Sequence, residues 1–470
     1  LDRLASDGIQ YTNFHVNPMC SPTRASLLTG LNSHMAGMGH VAHFDPGFPG
    51  YAMEIREDAL TMGDLFQEHG WASLMIGKWH LCKDSNLSEA GPKHSWPLQK
   101  GFERFYGILG GFTNFHQPHR LHEDNHALDI DDYPDDYYFT DDLTDQAIKM
   151  IKELRSSDPT KPWFMYFAHG AVHAPLQAKS EDIEKYKGKY DAGWDELRKQ
   201  RFERQQELGV VSDQALLPDR NFEQNHAVKP WDELTSLEKE LFARYQEIFA
   251  GMVDNVDQNF KRLRDELEQM DEWDNTIIVF TSDNGGSREG QELGTSAYFR
   301  TLLAFTGHTD LESTELDHSR IDLLGGPRSL AHYPMGWAMT SNTPFRLYKT
   351  NTHQGGQQVP LIVHWQKGLP SDNQLRHQYQ HVTDLLPTIC ELVGIEIPTS
   401  KGEEQLPPAA GNSFASSLTN PSADSTHSEQ YYEMIGHRGM YKDGWSASTI
   451  RQPETVFSAV SYTHLRAHET

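Results

Sequence analysis

Cys20-Ser21-Pro22-Thr23-Arg24-Ala25-Ser26-Leu27-Leu28-Thr29-Gly30 places a thiol just ahead of a proline turn and an arginine, in a chain with 3 cysteines among 470 residues. Taken alone, a Cys-x-Pro-x-Arg match arises by chance in roughly a few per cent of chains this long, and Cys20 could be a small buried residue in a turn. The residues after it shift the balance. Ala25 to Gly30 reads as a helix with small and apolar faces, and a helix starting at the cysteine would aim its first N–H groups and its dipole at an anion held there.

Other polar residues fall just after apolar runs. Gly77-Lys78-Trp79-His80 follows Ala72 to Ile76, the stretch His169 to Pro175 with His173 follows Trp163 to Ala168, and Thr281-Ser282-Asp283-Asn284-Gly285-Gly286 follows Thr276 to Phe280. Asp283 and Asn284 suit a hard divalent cation, which takes oxygen ligands. The alternative is an Asx turn leading into the two glycines. A lysine such as Lys78 or Lys349, taken alone, is more often a surface residue, since lysine is seldom buried.

These residues need a frame, and the chain supplies one by alternating helix with strand. A helix at Leu60 to Phe66 precedes the first of those runs, a helix from about Leu143 to Leu154 precedes the second, and a helix around Ala243 to Leu267 precedes the third. That rhythm predicts an α/β domain with a largely parallel sheet. In such sheets ligands bind beyond the carboxyl ends of the strands, where these polar residues lie. Ser180 to Lys239, rich in Arg, Lys, Glu and Gln, reads as solvated helices and loops. A boundary is expected near Pro398 to Pro408, dividing a domain at 1–400 from a small second domain at 401–459.

Composition sets the outer limits. With 37% hydrophobic and 23% charged residues, the chain can bury a large core and a smaller one. Cys20, Cys82 and Cys390 form neither a disulfide framework nor a zinc spacing, so cysteine usage leaves the compartment open. A formal charge of -26 argues against nonspecific binding to nucleic acid or an anionic membrane. An anionic substrate would need locally concentrated cations. No apolar run has transmembrane length, and no signal peptide is visible.

The stretch from Cys20 to Gly30 resembles the signature of type I sulfatases, in which the cysteine is oxidised to formylglycine. Gly77-Lys78-Trp79-His80, Val172-His173-Ala174-Pro175-Leu176, Ser282-Asp283-Asn284-Gly285 and Asn342-Thr343-Pro344-Phe345-Arg346 come after it in family order. Leu347-Tyr348-Lys349, His353-Gln354-Gly355-Gly356 and Tyr190-Asp191-Ala192-Gly193-Trp194-Asp195 look nearest to the bacterial arylsulfatase branch of the alkaline phosphatase superfamily. The resemblance implies a large central, mostly parallel mixed sheet flanked by helices, plus a truncated C-terminal α+β domain with an antiparallel sheet. It also implies a formylglycine-generating maturase as partner and a periplasmic or secreted location.

The chemistry explains the residue types. A sulfate ester repels an anionic nucleophile, so the site needs fixed cations and an activated, regenerable nucleophile. By resemblance, one hydroxyl of a formylglycine hydrate at position 20 attacks sulfur and displaces the alcohol, and the second then collapses to expel sulfate and restore the aldehyde. Serine could attack but could not reset. Arg24 would brace the hydrate, Lys78 would bridge hydrate and sulfate, and His80 would take the hydroxyl proton. His173 and Lys349 would contact the sulfate and help protonate the leaving alcohol. Asp283 and Asn284 would hold Ca2+, together with two adjacent aspartates on a first strand that would precede Leu1.

The expected function is therefore release of sulfate from an aryl or carbohydrate ester. The alternatives are a phosphonate or phosphate ester hydrolase of the same superfamily, or an inert chain whose metal site is incomplete. Other candidates weigh less. The acidic run Asp129 to Asp145 lacks the glycine and terminal glutamate of an EF-hand loop and reads as a solvated loop and helix start. His116, His119, His122 and His126 lack a completing cysteine for zinc and read as a rim loop, as does Ser287 to Pro334. Residues 460–470 show no periodicity and resemble a non-native tail.

Overall fold

The computed structural model describes residues 1–470 apart from 44, 46, 224, 300–313, 373, 452–465 and 470. Helix α1 (Asp2–Asp7) leads into β1 (Ile9–His15) and α2 (Cys20–Thr29); α3 (Met62–Glu68) precedes β2 (Ala72–Lys78) and β3 (Arg104–Ile108). The short strands β4 (His122–Glu123) and β5 (His126–Ala127) come next, then α4 (Phe139–Ser157), β6 (Trp163–Ala168), α5 (Ser180–Glu184) and α6 (Gly193–Glu207). The long α7 (Ser236–Gln269) is followed by β7 (Ile278–Thr281), β8 (Gln358–His364) and β9 (Gln380–His381). Local chemistry fixes several of these ends. Capping boxes at Thr61 with Asp64 and at Thr235 with Glu238 start α3 and α7, satisfying backbone N–H groups that would otherwise lack partners. Gly30, with φ of 67°, ends α2 in the left-handed conformation, where a side chain would be strained.

The expected mixed sheet is present in two sections. One runs β7-β8-β1-β9, the other β5-β4-β3-β2-β6. In the second, β2 is parallel to both β3 and β6; in the first, β8 is antiparallel to β1 and β7. Side-chain alternation along β2 feeds two cores, with Met75 in one and Leu74 and Ile76 in the other. This is the pattern of a strand covered on both faces. Strands β6 and β7 are edges, and both face one cavity of about 2160 Å³ that every residue of either strand lines. Trp163 to Phe167 are consequently half-buried, although as a run they read as a central strand.

Two loop readings change. Helix α6, within the stretch read as solvated, buries Trp194, Arg198 and Phe202, and Trp194 meets Trp231 and Trp337 edge to face. In the acidic run, residues 129, 131, 132, 135 and 136 are exposed, but the two aspartates opening α4 are structural. Asp141 accepts hydrogen bonds from Lys179, Asn255 and Asn259, and Asp142 accepts from Tyr106 and Tyr137. Among the described residues, no helix is long and apolar enough to cross a membrane.

The Pro398 to Pro408 stretch holds the small hairpin β10 (Ser400–Lys401) and β11 (Glu404–Gln405). Beyond it β12 (Glu429–Met434), β13 (His437–Lys442), β14 (Trp445–Thr449) and β15 (Arg466–Glu469) form an antiparallel sheet. Of the tail read as non-native, only β15 is described, and it pairs with β14 from Trp445 to Ser448. The β12–β13 turn packs Met434 and Ile435 against Met19, Cys20 and Val41, so this sheet reaches the thiol.

Gly77 fixes how closely the strands approach just before Lys78. It pairs with Gly107 on β3 and Ala168 on β6, and a Cβ there would stand 2.0 Å from the Ala168 carbonyl oxygen at a φ of +99°. Gly77→Ala should therefore part β2 from β6 and displace Lys78, lowering stability in urea unfolding by about 2 to 4 kcal/mol. A midpoint unchanged from the parent would refute this account of the spacing.

Candidate active site

Cys20 is the first residue of α2 and is buried. Thr23 Oγ1 donates to the Asn17 carbonyl, and Asn17 Nδ2 donates to the Pro22 carbonyl and Ser26 Oγ. These bonds lash the preceding loop to the helix and fix its first turn. Cys20 Sγ lies 3.4 Å from His80 Nδ1, and Ser21 Oγ donates to the His80 carbonyl at 2.8 Å.

One turn along α2, Arg24 joins three elements. Its Nη1 donates to the Lys78 carbonyl at 2.7 Å, while Nε and Nη2 reach Asp283 Oδ2 at 2.8 and 2.7 Å. Burial alone would raise the Asp283 carboxyl, but Arg24 and Lys78 bring it down to about 2. Burial pushes the Lys78 ammonium below its ordinary value. Burial, then Lys78 and Arg24, holds His80 well below the ordinary imidazole range, so it is neutral at pH 7. His80 Nε2 is buried with no hydrogen-bond partner among the described residues.

His173 and Lys349 stand together as a second group. Lys349 Nζ is 3.3 Å from His173 Nε2 and 2.9 Å from Glu289 Oε1. The Asn342 motif braces this group: Asn342 Oδ1 accepts from Gly286 N at 2.7 Å, its Nδ2 donates to the Leu347 carbonyl, and Lys349 N donates to the Gly286 carbonyl. Gly285 permits the close approach of His353-Gln354-Gly355-Gly356, since a Cβ on it would lie 1.9 Å from the Gly355 carbonyl oxygen. Lys349 also interacts electrostatically with Cys20 and Asp283, so both groups share one field.

Asn284 comes directly after Asp283, and its Nδ2 donates to the Gly285 carbonyl at 2.8 Å, which leaves Oδ1 as its donor atom for a cation. Carboxylate and amide oxygens fit a hard divalent ion. They are only part of a shell of six to eight ligands, and among the described residues no group of three or more His, Cys, Asp or Glu could hold a metal. The four histidines of the rim reading do not converge. His116 and His119 contact the Gly325 carbonyl and Thr113, His122 packs against Trp96, and His126 is exposed on β5.

Sequence reasoning missed Glu289, Tyr298 and Phe112. Tyr298 Oη donates to Glu289 Oε2 at 2.9 Å, and the Phe112 ring lies parallel to His173 with centroids 6.3 Å apart. Glu289 and Phe112 sit in irregular segments, where no periodicity marks which side chain turns inward, and Tyr298 stands in a helix outside the motifs.

The Sulfatase family model matches residues 1–395. The chain belongs to the sulfatase family. It is 31% identical over 420 residues to a sulfatase of Schizosaccharomyces pombe, covering 85% of this chain and 71% of that one. It is 29% identical over 431 residues to the arylsulfatase of Klebsiella aerogenes, covering 88% and 85%. Among solved structures, Ps i-CgsB in complex with k-i-k-neocarrahexaose aligns with a TM-score of 0.61 at 21% identity, over 96% of this chain and 78% of that one. A phosphonate monoester hydrolase from Silicibacter pomeroyi aligns with a TM-score of 0.55 at 16% identity, over 95% and 81%. The fold is that of the alkaline phosphatase-like sulfatases, and the chain is a sulfuric ester hydrolase. Sulfatases generally use formylglycine and a divalent metal.

In a sulfatase of charge -26, sulfate recognition must be local. Lys78→Ala and Lys349→Ala should each lower turnover of an aryl sulfate by roughly a hundredfold or more. Steady-state kinetics showing near-parental turnover in both would remove these lysines from the sulfate.

Proposed function

We propose that this sulfatase releases sulfate from an aryl or carbohydrate ester using a formylglycine made from Cys20 by a maturase. The observation that carries the reading is the convergence of Arg24, Lys78 and Lys349, all buried, around one thiol at a helix N-terminus. A hydrated aldehyde at that position would supply a nucleophile that can be regenerated. Arg24 braces the first turn of α2 against the ends of β2 and β7. Lys78 faces position 20 and the ester oxygens as a cation, and His80, neutral and 3.4 Å from Sγ through Nδ1, accepts a proton from the group at position 20. His173 and Lys349 bind the far side of the ester and serve the leaving oxygen.

Asp283 and Asn284 would hold the divalent cation, for which calcium fits the oxygen donors. When bound, that ion would add positive charge against the ester oxygens. Calcium should then raise the melting temperature of the protein, and less so in Asn284→Ala; equal shifts in both would remove Asn284 from the cation.

Coexpressed with a maturase, the protein should yield a peptide bearing formylglycine or its hydrate at position 20 by mass spectrometry. Cys20→Ala should fold and be inactive, and Cys20→Ser should stall after one turnover as a sulfated serine. Multiple turnovers by Cys20→Ala would overturn the mechanism. Faster hydrolysis of a nitrophenyl phosphonate than of nitrophenyl sulfate by the matured protein would replace the sulfate reading with the phosphonate one.

A further inference from the structure

Glu289 lies six residues beyond Asp283, and both of its carboxylate oxygens are engaged. Oε1 accepts from Lys349 Nζ at 2.9 Å and Oε2 accepts from Tyr298 Oη at 2.9 Å. His332 Nε2 stands 4.0 Å from Oε2. An interior ammonium without a counter-ion tends to surrender its proton. Burial pulls Lys349 that way, and Glu289, with smaller contributions from Cys20 and Asp283, turns the balance upward.

The neighbouring imidazole shows where the mobile proton resides. His173 Nδ1 contacts the Ala174 carbonyl at 2.7 Å, which assigns that nitrogen its proton. Burial and Lys349 hold the ring to about 3, so at pH 7 it is neutral and Nε2 carries a lone pair. The 3.3 Å contact is then a donation from Lys349 to His173. Of the two groups on the leaving side, Lys349 has the proton to give.

We propose that Glu289 is a positioning residue for sulfate ester hydrolysis: it keeps Lys349 an aimed ammonium, so that Lys349 protonates the leaving oxygen as the S–O bond breaks. The proposal rests on the sulfatase reading. The electron pair of the broken bond stays on the leaving oxygen, which takes a proton from Lys349, and the amine regains one from solvent. Tyr298 holds the second carboxylate oxygen. Its ring meets Phe112 edge to face at 5.4 Å, and Phe112 parallels His173, so the carboxylate is anchored to the aromatic wall beside the imidazole.

Proton donation matters more as the leaving group becomes more basic, and this separates positioning from a merely structural role. In the matured protein, Glu289→Gln should lower kcat/KM about threefold to tenfold on 4-nitrophenyl sulfate, but by about a hundredfold or more on unsubstituted phenyl sulfate. The basic limb of its pH profile should move to lower pH, because Lys349 would lose its proton sooner. Glu289→Asp should restore part of both effects. Tyr298→Phe, which removes one partner and no charge, should steepen the leaving-group dependence in the same direction but less, and serves if Glu289→Gln does not fold. Equal losses on both esters with an unmoved pH profile would overturn the proposal. A parent chain that cleaves neither ester, nor a sulfated carbohydrate, would overturn the sulfatase reading instead.

Discussion

The site depends on the Arg24 guanidinium, which is buried and reaches the Lys78 carbonyl and the Asp283 carboxylate from one turn inside α2. Burying a cation is costly unless its charge and its N–H groups are matched. Here they are matched by the ends of two strands from different sheet sections, β2 and β7. Lysine in this place would offer a point charge without the planar fork. The bond that offsets the cost of burial also sets the distance between the thiol, the Lys78 ammonium and the proposed metal carboxylate.

The charge of the site then derives from its members. Arg24 and Lys349 are paired with Asp283 and Glu289, burial pushes the Lys78 ammonium down, and His80 and His173 are held neutral by burial and by the neighbouring cations. A chain of -26 can therefore bind an anion because the favourable potential is confined to an interior where screening is weak.

Legibility in the sequence tracked how local each feature is. The bounds of Trp163–Ala168 were readable because an apolar run between helices marks a strand, though its place at a sheet edge was not, and the positions of the thiol, Arg24, Lys78, His80, His173 and Lys349 were readable because each lies in a short motif. Glu289 was not, since its partners, Lys349 and Tyr298, lie 60 and 9 residues away in sequence and meet it only through folding. The same holds for Met434, whose contact with Cys20 spans the distance to the C-terminal sheet. Asp141 and Asp142 were misread for the converse reason: a run of aspartates looks solvated until Lys179, Asn255, Asn259 and two tyrosines converge on it.

The division of the sheet has a mechanical consequence. Lys78, His80 and His173 hang from β2 and β6 in the five-stranded section, whereas Cys20, Arg24 and Asp283 belong to elements joined to β1 and β7 in the four-stranded one. The fold sets the thiol of one half beside His80 of the other. The contacts from Arg24 to Lys78, Cys20 to His80 and Lys349 to His173 cross between the halves above the cavity. Each is short and polar, so its strength falls steeply with separation and angle. The alignment of the two halves therefore rests on those contacts, with Arg24 linking α2 to the ends of both β2 and β7.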